Sequence, residues 1–296
     1  MSYLLYVLTV MAIFAILAIS LNLLVGYSGI FSVAQAAFFG VGAYTSAIMS
    51  MKLGVPFLGA LVIAVAFAAL VSAAISIPFI RVSGDYFVVA SFGVQVILYD
   101  IFVNFEPVTR GPAGMFGIPP AELLGYRITS AWAQLTMVVA ALAVVSWGVV
   151  RLDRSPFGRV LRMIREDETL ALVYGKNVVR VRIAVTALSG ALAGLSGSLY
   201  AHTVGFIDPY TFALGESIFV LAIVILGGLG NLFGSIVGAV VLLGLPEMLK
   251  FAAIPETIFA PARQMLYGLL LIAFMFVRPR GFFAELRGVR SHTGVG

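Results

Sequence analysis

No charged side chain occurs before Lys52. Fifty-one consecutive uncharged residues exceed one membrane crossing of ~20 residues, and they leave nothing to solvate the surface of a soluble domain. The rest of the chain follows suit: of 296 residues, 61% are hydrophobic and 10% charged, against roughly 25% charged in a soluble domain. Such a chain belongs in a lipid bilayer, and there the backbone must satisfy its own hydrogen bonds, which calls for helices.

The glycines of Gly26-Tyr27-Ser28-Gly29 permit a turn and divide the first run into spans near 3–25 and 29–50. With no basic n-region, the first reads as an uncleaved span and not as a signal peptide. Further apolar runs cover 57–80 and 86–99, the latter continuing to about 105 with Asp100 inside it. The Gly/Pro-rich stretch 106–128 reads as an external loop. A span at 130–150 precedes the charged segment 151–182. Spans near 183–204, 211–226, 232–249 and 262–277 follow, then a tail, 278–296. The expected fold class is an all-α polytopic membrane protein, one bundle of about nine helices (eight to ten). The runs flanking Gly227-Gly228-Leu229-Gly230 are short enough to be broken or re-entrant.

Basic residues set orientation, because loops rich in Lys and Arg stay cytoplasmic. With nine alternating helices, a cytoplasmic 151–182 puts Arg81 and the tail on the same side. Lys52, Arg110, Arg127, Lys250 and Arg263 then lie outside, so thirteen of the 18 basic residues are inside. The N-terminus is expected outside and the C-terminus in the cytoplasm. Small residues four apart, at Gly190, Gly194 and Ser198 and at Gly230, Gly234 and Gly238, suit close helix packing or, less commonly, close approach to substrate.

Segment 151–182 holds 12 of the 31 charged residues. Ser155-Pro156 opens a helix, Ser as cap and Pro where no N–H is needed. Phe157, Val160, Leu161 and Ile164 recur on one face, with Arg159, Arg162 and Arg165 on another. Arg165-Glu166-Asp167-Glu168 breaks the apolar pattern, and a second patch, Leu170 to Tyr174, ends at Gly175, a suitable C-terminal cap. By physics alone, headgroup binding at the interface and docking to a protein fit about equally. The four acidic residues favour a partner that uses both charge signs.

Several chemistries are excluded. Without cysteine there are no disulfides, thiolate metal sites or Cys nucleophiles. His202 and His292 lie far apart, and no HExxH occurs. Gly175-Lys176 lacks the upstream glycine of a Walker A loop, and Gly228-x-Gly230 lacks the strand–turn–helix setting of a dinucleotide site. Basic residues lie between apolar runs, which argues against nucleic acid as a partner. No catalytic residue, metal or cofactor is expected.

The segment SPFGRVLRMIREDETLALVYGKN resembles the cytoplasmic signature of membrane subunits of branched-chain amino-acid ABC importers, the LivM/LivH permeases. The resemblance extends through GYSGIFSVAQAAFFGVGAY (26–44), TRGPAGMFGIP (109–119), ALSGALAGLSGSLYA (187–201), ESIFVLAIVILGGLGNLFGSIVGA (216–239) and RPRG (278–281), closer to the LivM-like half. It implies a non-catalytic permease in a bacterial inner membrane, in contact with lipid. Its implied partners are two ATP-binding cassette subunits that bind the ATP, a paralogous LivH-like permease and a periplasmic or extracellular solute-binding protein. It implies that Arg159, Arg162, Arg165, Glu166, Asp167, Glu168 and Gly175 serve ATPase coupling. Polar groups inside spans usually face the bundle interior or a water-filled path. Asn22, Gln35, Gln95, Asp100 and Glu216 are such groups, the amides suited to interhelix hydrogen bonds and the acids to a solvated or paired role. The resemblance raises Ser28, Ser32, Gln35 and Tyr44, with Gln95 and Glu216, as residues of a translocation path. Thr109 and Arg110 are the expected docking points for the binding protein, Arg110 standing where many relatives are expected to have Gly. The alternatives are a stand-alone ion-coupled secondary transporter and a membrane assembly protein.

Overall fold

Where side chains offer no hydrogen bonds and lipid offers none, a long run closes its own backbone as a helix. The computed structural model describes residues 2–79, 85–123, 125–250 and 268. The expected span 262–277, the tail 278–296 and residues Arg81 and Arg263 lie outside these. Helix α1 (Ser2–Asn22) continues into a π-helical turn, Leu23–Tyr27. Then come α2 (Gln35–Lys52), α3 (Phe57–Phe79), α4 (Asp85–Asn104) and the single turn α5 (Glu106–Thr109). The loop carries three two-residue strands, β1 (Met115–Phe116), β2 (Glu122–Leu123) and β3 (Tyr126–Arg127). Next are α6 (Ala131–Arg154), α7 (Pro156–Glu166), α8 (Glu168–Val173) and α9 (Val178–Val204). Strand β4 (Phe206–Ile207) and a 3-10 turn, Pro209–Phe212, lead into α10 (Leu214–Gly227) and α11 (Leu232–Lys250). Five of these helices are long and apolar enough to cross a membrane, and Leu214–Gly227 and Leu232–Leu245 are shorter apolar runs.

The bundle is layered by burial. In the apolar window of α1, 72% of residues are buried, against 17% for α6, so α1 is a core helix and α6 offers most of its surface to lipid. α9 packs along both α2 and α3, and α1 lies against α6, α9, α10 and α11. The seam between α2 and α9 is backbone on backbone: a Cβ on Gly42 would collide with Gly194. Apolar side chains gain little by leaving lipid, so such close approach supplies the contact energy. Aromatic rings fill the interior, with Tyr44 stacked on Phe102 at 4.8 Å and Phe39 edge-on to Phe212 at 5.3 Å.

The two ends of the bundle differ. One carries α7, α8 and the turns at 26–29 and 228–231. At the other, Lys52 Nζ donates to the Pro107 carbonyl at 2.9 Å, β1 pairs with β4 and β2 with β3.

Two boundaries depart from expectation. The second helix begins at Gln35 and not at 29, because the backbone between Gly29 and Ala34 is held out of a helix by a side chain from α4: Ser91 Oγ accepts from Val33 N at 3.0 Å. α9 begins at Val178 and not at 183, since Asn177 Oδ1 caps it by accepting from Arg180 N at 3.0 Å, which places Arg180 and Arg182 inside the helix.

Candidate functional site

The α7–α8 corner is built from local signals. Ser155 Oγ accepts from Gly158 N at 3.3 Å, capping α7 with Pro156 in its first turn. Asp167 Oδ1 accepts from Thr169 N and Leu170 N at 2.8 and 3.1 Å, capping α8. Gly175, at φ +70°, closes α8. There Gly175 N donates to Leu172 O and Lys176 N to Ala171 O, the paired bonds of a Schellman end that requires a left-handed residue.

Most of the charges expected to meet a partner are engaged within the chain. Arg162 Nη1 pairs with Asp153 Oδ1 at 2.8 Å and fixes the α6–α7 corner. Arg182 Nη2 pairs with Glu168 Oε2 at 2.8 Å, tying α8 to α9. Arg165 Nη1 donates to the Gly26 carbonyl. Arg159 and Glu166 are exposed, and their side chains make no hydrogen bond among the described residues. Beneath, Leu161 is sealed among Leu23, Leu24, Ile30 and Val185, and Ile164 packs with Ala171 and Val178. The other side of α8 is bare: Leu170, Leu172, Val173 and Tyr174 are exposed, Val173 to 78% and Tyr174 to 65%. A six-residue helix cannot bury five successive apolar residues on one face. That signal was present in Leu170 to Tyr174, and it adds an exposed apolar patch to the exposed charges of this segment.

The interior amides form a second constellation, all at helix breaks. The first N–H groups of α2 have no intrahelical partner. Ser217 Oγ on α10 accepts from Ala36 N at 2.9 Å, and Gln95 Oε1 on α4 accepts from Ala37 N at 2.9 Å. Gln95 Nε2 donates to the Phe212 carbonyl at 2.8 Å. Gln35 Nε2 donates to Ser20 Oγ at 2.5 Å and Ser189 Oγ at 3.3 Å. Asn22 Nδ2 donates to the Asn231 carbonyl at 3.0 Å and Ser235 Oγ at 2.7 Å, and Gly230 N donates to Asn22 Oδ1 at 2.8 Å. A broken helix inside an apolar bundle needs such partners, since lipid and apolar side chains offer its freed N–H and C=O groups none.

The remaining candidates are scattered. Ser28 Oγ donates to Leu24 O at 2.5 Å. Ser32, with Ser72, Ser91 and Thr186, lines a crevice of about 20 Å³, room for a water and no more. Tyr44 is buried, and its hydroxyl has no hydrogen-bond partner among the described residues. Asp100 is exposed on α4. Glu216 lines a cavity of about 360 Å³ with Tyr3, Tyr6, Tyr200 and Glu247, at the end of the bundle opposite α7. Thr109 is buried, its hydroxyl bonded to Phe105 O at 2.9 Å. Arg110 is exposed at φ +64°, a left-handed conformation that Gly adopts without strain. His202 is a buried strut, with Ser46 Oγ 2.9 Å from Nε2 and Pro119 O 2.7 Å from Nδ1. Among the described residues no three His, Asp or Glu side chains gather to hold a metal.

Residues 3–275 match the family model described as branched-chain amino acid transport system / permease component. The high-affinity branched-chain amino acid transport system permease protein LivM of Escherichia coli K12 is 31% identical over 302 residues, covering 94% of this chain and 69% of that protein. LivH of the same strain is 26% identical over 292 residues, covering 92% and 91%. The guanosine ABC transporter permease protein NupQ of Bacillus subtilis is 25% identical over 216 residues, covering 68% and 67%. No solved structure matches.

Proposed function

Because the chain belongs to the branched-chain amino acid transport permease family, we propose that it is the non-catalytic membrane subunit of an ATP-driven importer and forms its path for branched-chain or related amino acids. In this role it sits in a bacterial inner membrane with about nine crossings, the N-terminus outside and the C-terminus in the cytoplasm. Two ATP-binding cassette subunits, a LivH-like paralogue and an external solute-binding protein complete the machine. What supports this most directly is the bare apolar face of α8, among the exposed charges of 165–168 and Lys176 and at the same end as both helix breaks. An apolar centre rimmed by charge is the composition of a protein interface.

Nucleotide binding draws the docked ATPases together, α7 and α8 follow as a rigid body, and the bundle alternates between outward and inward states. Ser28, Ser32, Gln35, Tyr44, Gln95 and Glu216 are assigned to the path. The partnerless Tyr44 hydroxyl speaks for that assignment, since a buried polar group without a bond calls for a functional reason. Thr109 and Arg110, at the opposite end from α8, are assigned to the binding protein.

The test is co-purification with the ATPase subunits, then reconstitution with the paralogue and binding protein in liposomes and uptake of labelled leucine. Uptake should require internal ATP and ignore proton and sodium gradients. Gradient-driven uptake without ATPase subunits would refute the assignment. Competition by guanosine, the solute in the name of one relative, separates amino-acid from nucleoside transport. Gln35→Ala, with expression and ATPase binding held normal, should alter uptake kinetics.

A further inference from the structure

Helix α1 does not end freely. Beyond Asn22 it widens into the π-helical turn, and its last carbonyls need partners from outside the helix. The Leu24 and Val25 carbonyls take Ile30 N and Gly29 N, each at 3.2 Å. The next one, Gly26 O, takes Nη1 of Arg165 from α7. The stem of that side chain lies on the following turn, where a Cβ on Gly29 would stand 3.1 Å from Arg165 Cγ. The same Nη1 lies 3.1 Å from the place a Cβ on Gly230 would take, and that Cβ would be 3.3 Å from Gly26 O. One guanidinium therefore rests across both breaks, 26–29 after α1 and 228–231 between α10 and α11. Asn22 grips the second break through Gly230 N and Asn231 O.

Leu161 stands four residues before Arg165, and positions four apart share a helix face. The edge of α7 toward the bundle thus carries an apolar plug seated on Leu23, Leu24 and Ile30, then a cation at the carbonyl end of α1, where the helix dipole favours positive charge. Neither Arg159 nor Glu166 makes such a contact.

We propose that Arg165 is a positioning residue through which α7 moves the breaks at 26–29 and 228–231 together, and that it does not serve as an ATPase contact. This role rests on the permease function above. A shift of α7 either carries the Gly26 carbonyl with it or breaks a hydrogen bond to a charged group. Because both breaks share the guanidinium, they move in concert.

The complete importer, with ATPase subunits, partner permease and binding protein, is reconstituted in liposomes carrying Arg165→Ala, with Val173→Asp on α8 for comparison. Four quantities are read: ATPase co-purification, ATP hydrolysis, labelled leucine moved per ATP, and thiol labelling of Leu229→Cys, the chain having no native cysteine. Leu229 is exposed on the second break. Arg165→Ala should keep the ATPases bound and hydrolysing while leucine per ATP falls about tenfold or more, the scale of one hydrogen bond to a charged group. Labelling at position 229 should stop responding to nucleotide. Val173→Asp should shed the ATPases. Release of the ATPases by Arg165→Ala overturns the proposal, and so does an unchanged leucine-to-ATP ratio with an intact labelling response. Should Arg165→Ala not accumulate, Arg165→Gln removes the charge while keeping an N–H donor, and the same two results decide. A wild-type chain that binds no ATPase subunit would instead sink the permease function, whatever Arg165 does.

Discussion

Replacing Asn22 by Ala removes three hydrogen bonds at once, those to Asn231 O, Ser235 Oγ and Gly230 N. Interhelix hydrogen bonds in membrane proteins contribute ~0.6 kcal/mol on average and at most ~1.7, so three are worth about 2 kcal/mol. The Asn231 carbonyl keeps a bond from Ser235 Oγ at 3.2 Å and is not orphaned. Gly230 N has no such reserve. It is half-buried, so the low end of the penalty for an unmet donor applies, about 1 kcal/mol. Asn22→Ala should therefore destabilise by about 3 kcal/mol, and Ser235→Ala by about 1 kcal/mol or less. The double variant should reveal a coupling of about 1 kcal/mol. The assay is unfolding of the purified protein in mixed micelles, read by Trp132 and Trp147 of α6, which packs on α1. An Asn22→Ala variant within about 0.5 kcal/mol of wild type, the usual range of a neutral substitution, would refute the clamp. So would one no less stable than Ser235→Ala.

Gln95→Leu leaves Ala37 N and Phe212 O without acceptor and donor, which should cost about 2–4 kcal/mol; a melting temperature in detergent equal to wild type would contradict this. Gly194→Leu drives a side chain into Ala64 and Ala68 of α3 and should abolish monodisperse protein on gel filtration. Gly148→Ala, with open space around it, should be tolerated and gain up to about 1 kcal/mol of helix propensity. Arg110 sits at φ +64°, so Arg110→Gly should be neutral. Arg110→Val, β-branched in the left-handed region, should cost about 1–2 kcal/mol and quicken proteolysis of the 105–130 loop.

The long helices were legible because charge-free runs leave the backbone one solution. Expected spans 57–80 and 130–150 agree with α3 and α6 to within a few residues. The α7–α8 corner was legible too, since Ser155-Pro156, the periodicity of Leu161 and Ile164, and Gly175 act within one or two turns. Residues 29–34 misled. Gly-Ile-Phe-Ser-Val-Ala is as apolar as any helix, and what ends the helix there is Ser91, Gln95 and Ser217, all on other helices. Nor could the sequence show that Arg162, Asp167 and Glu168 have partners in their own chain, or that the apolar face of α8 stands exposed beside them.

By itself, then, the sequence determined residence in a membrane, helical class and the position of one amphipathic, capped corner, because hydropathy, periodicity and capping are local. Tertiary structure alone decided which polar groups close which breaks. Gln95 meets Ala37 across 58 residues and Asn22 meets Asn231 across 209. Such pairs form only once the helices have packed, where a donor without a nearby acceptor has no water to turn to.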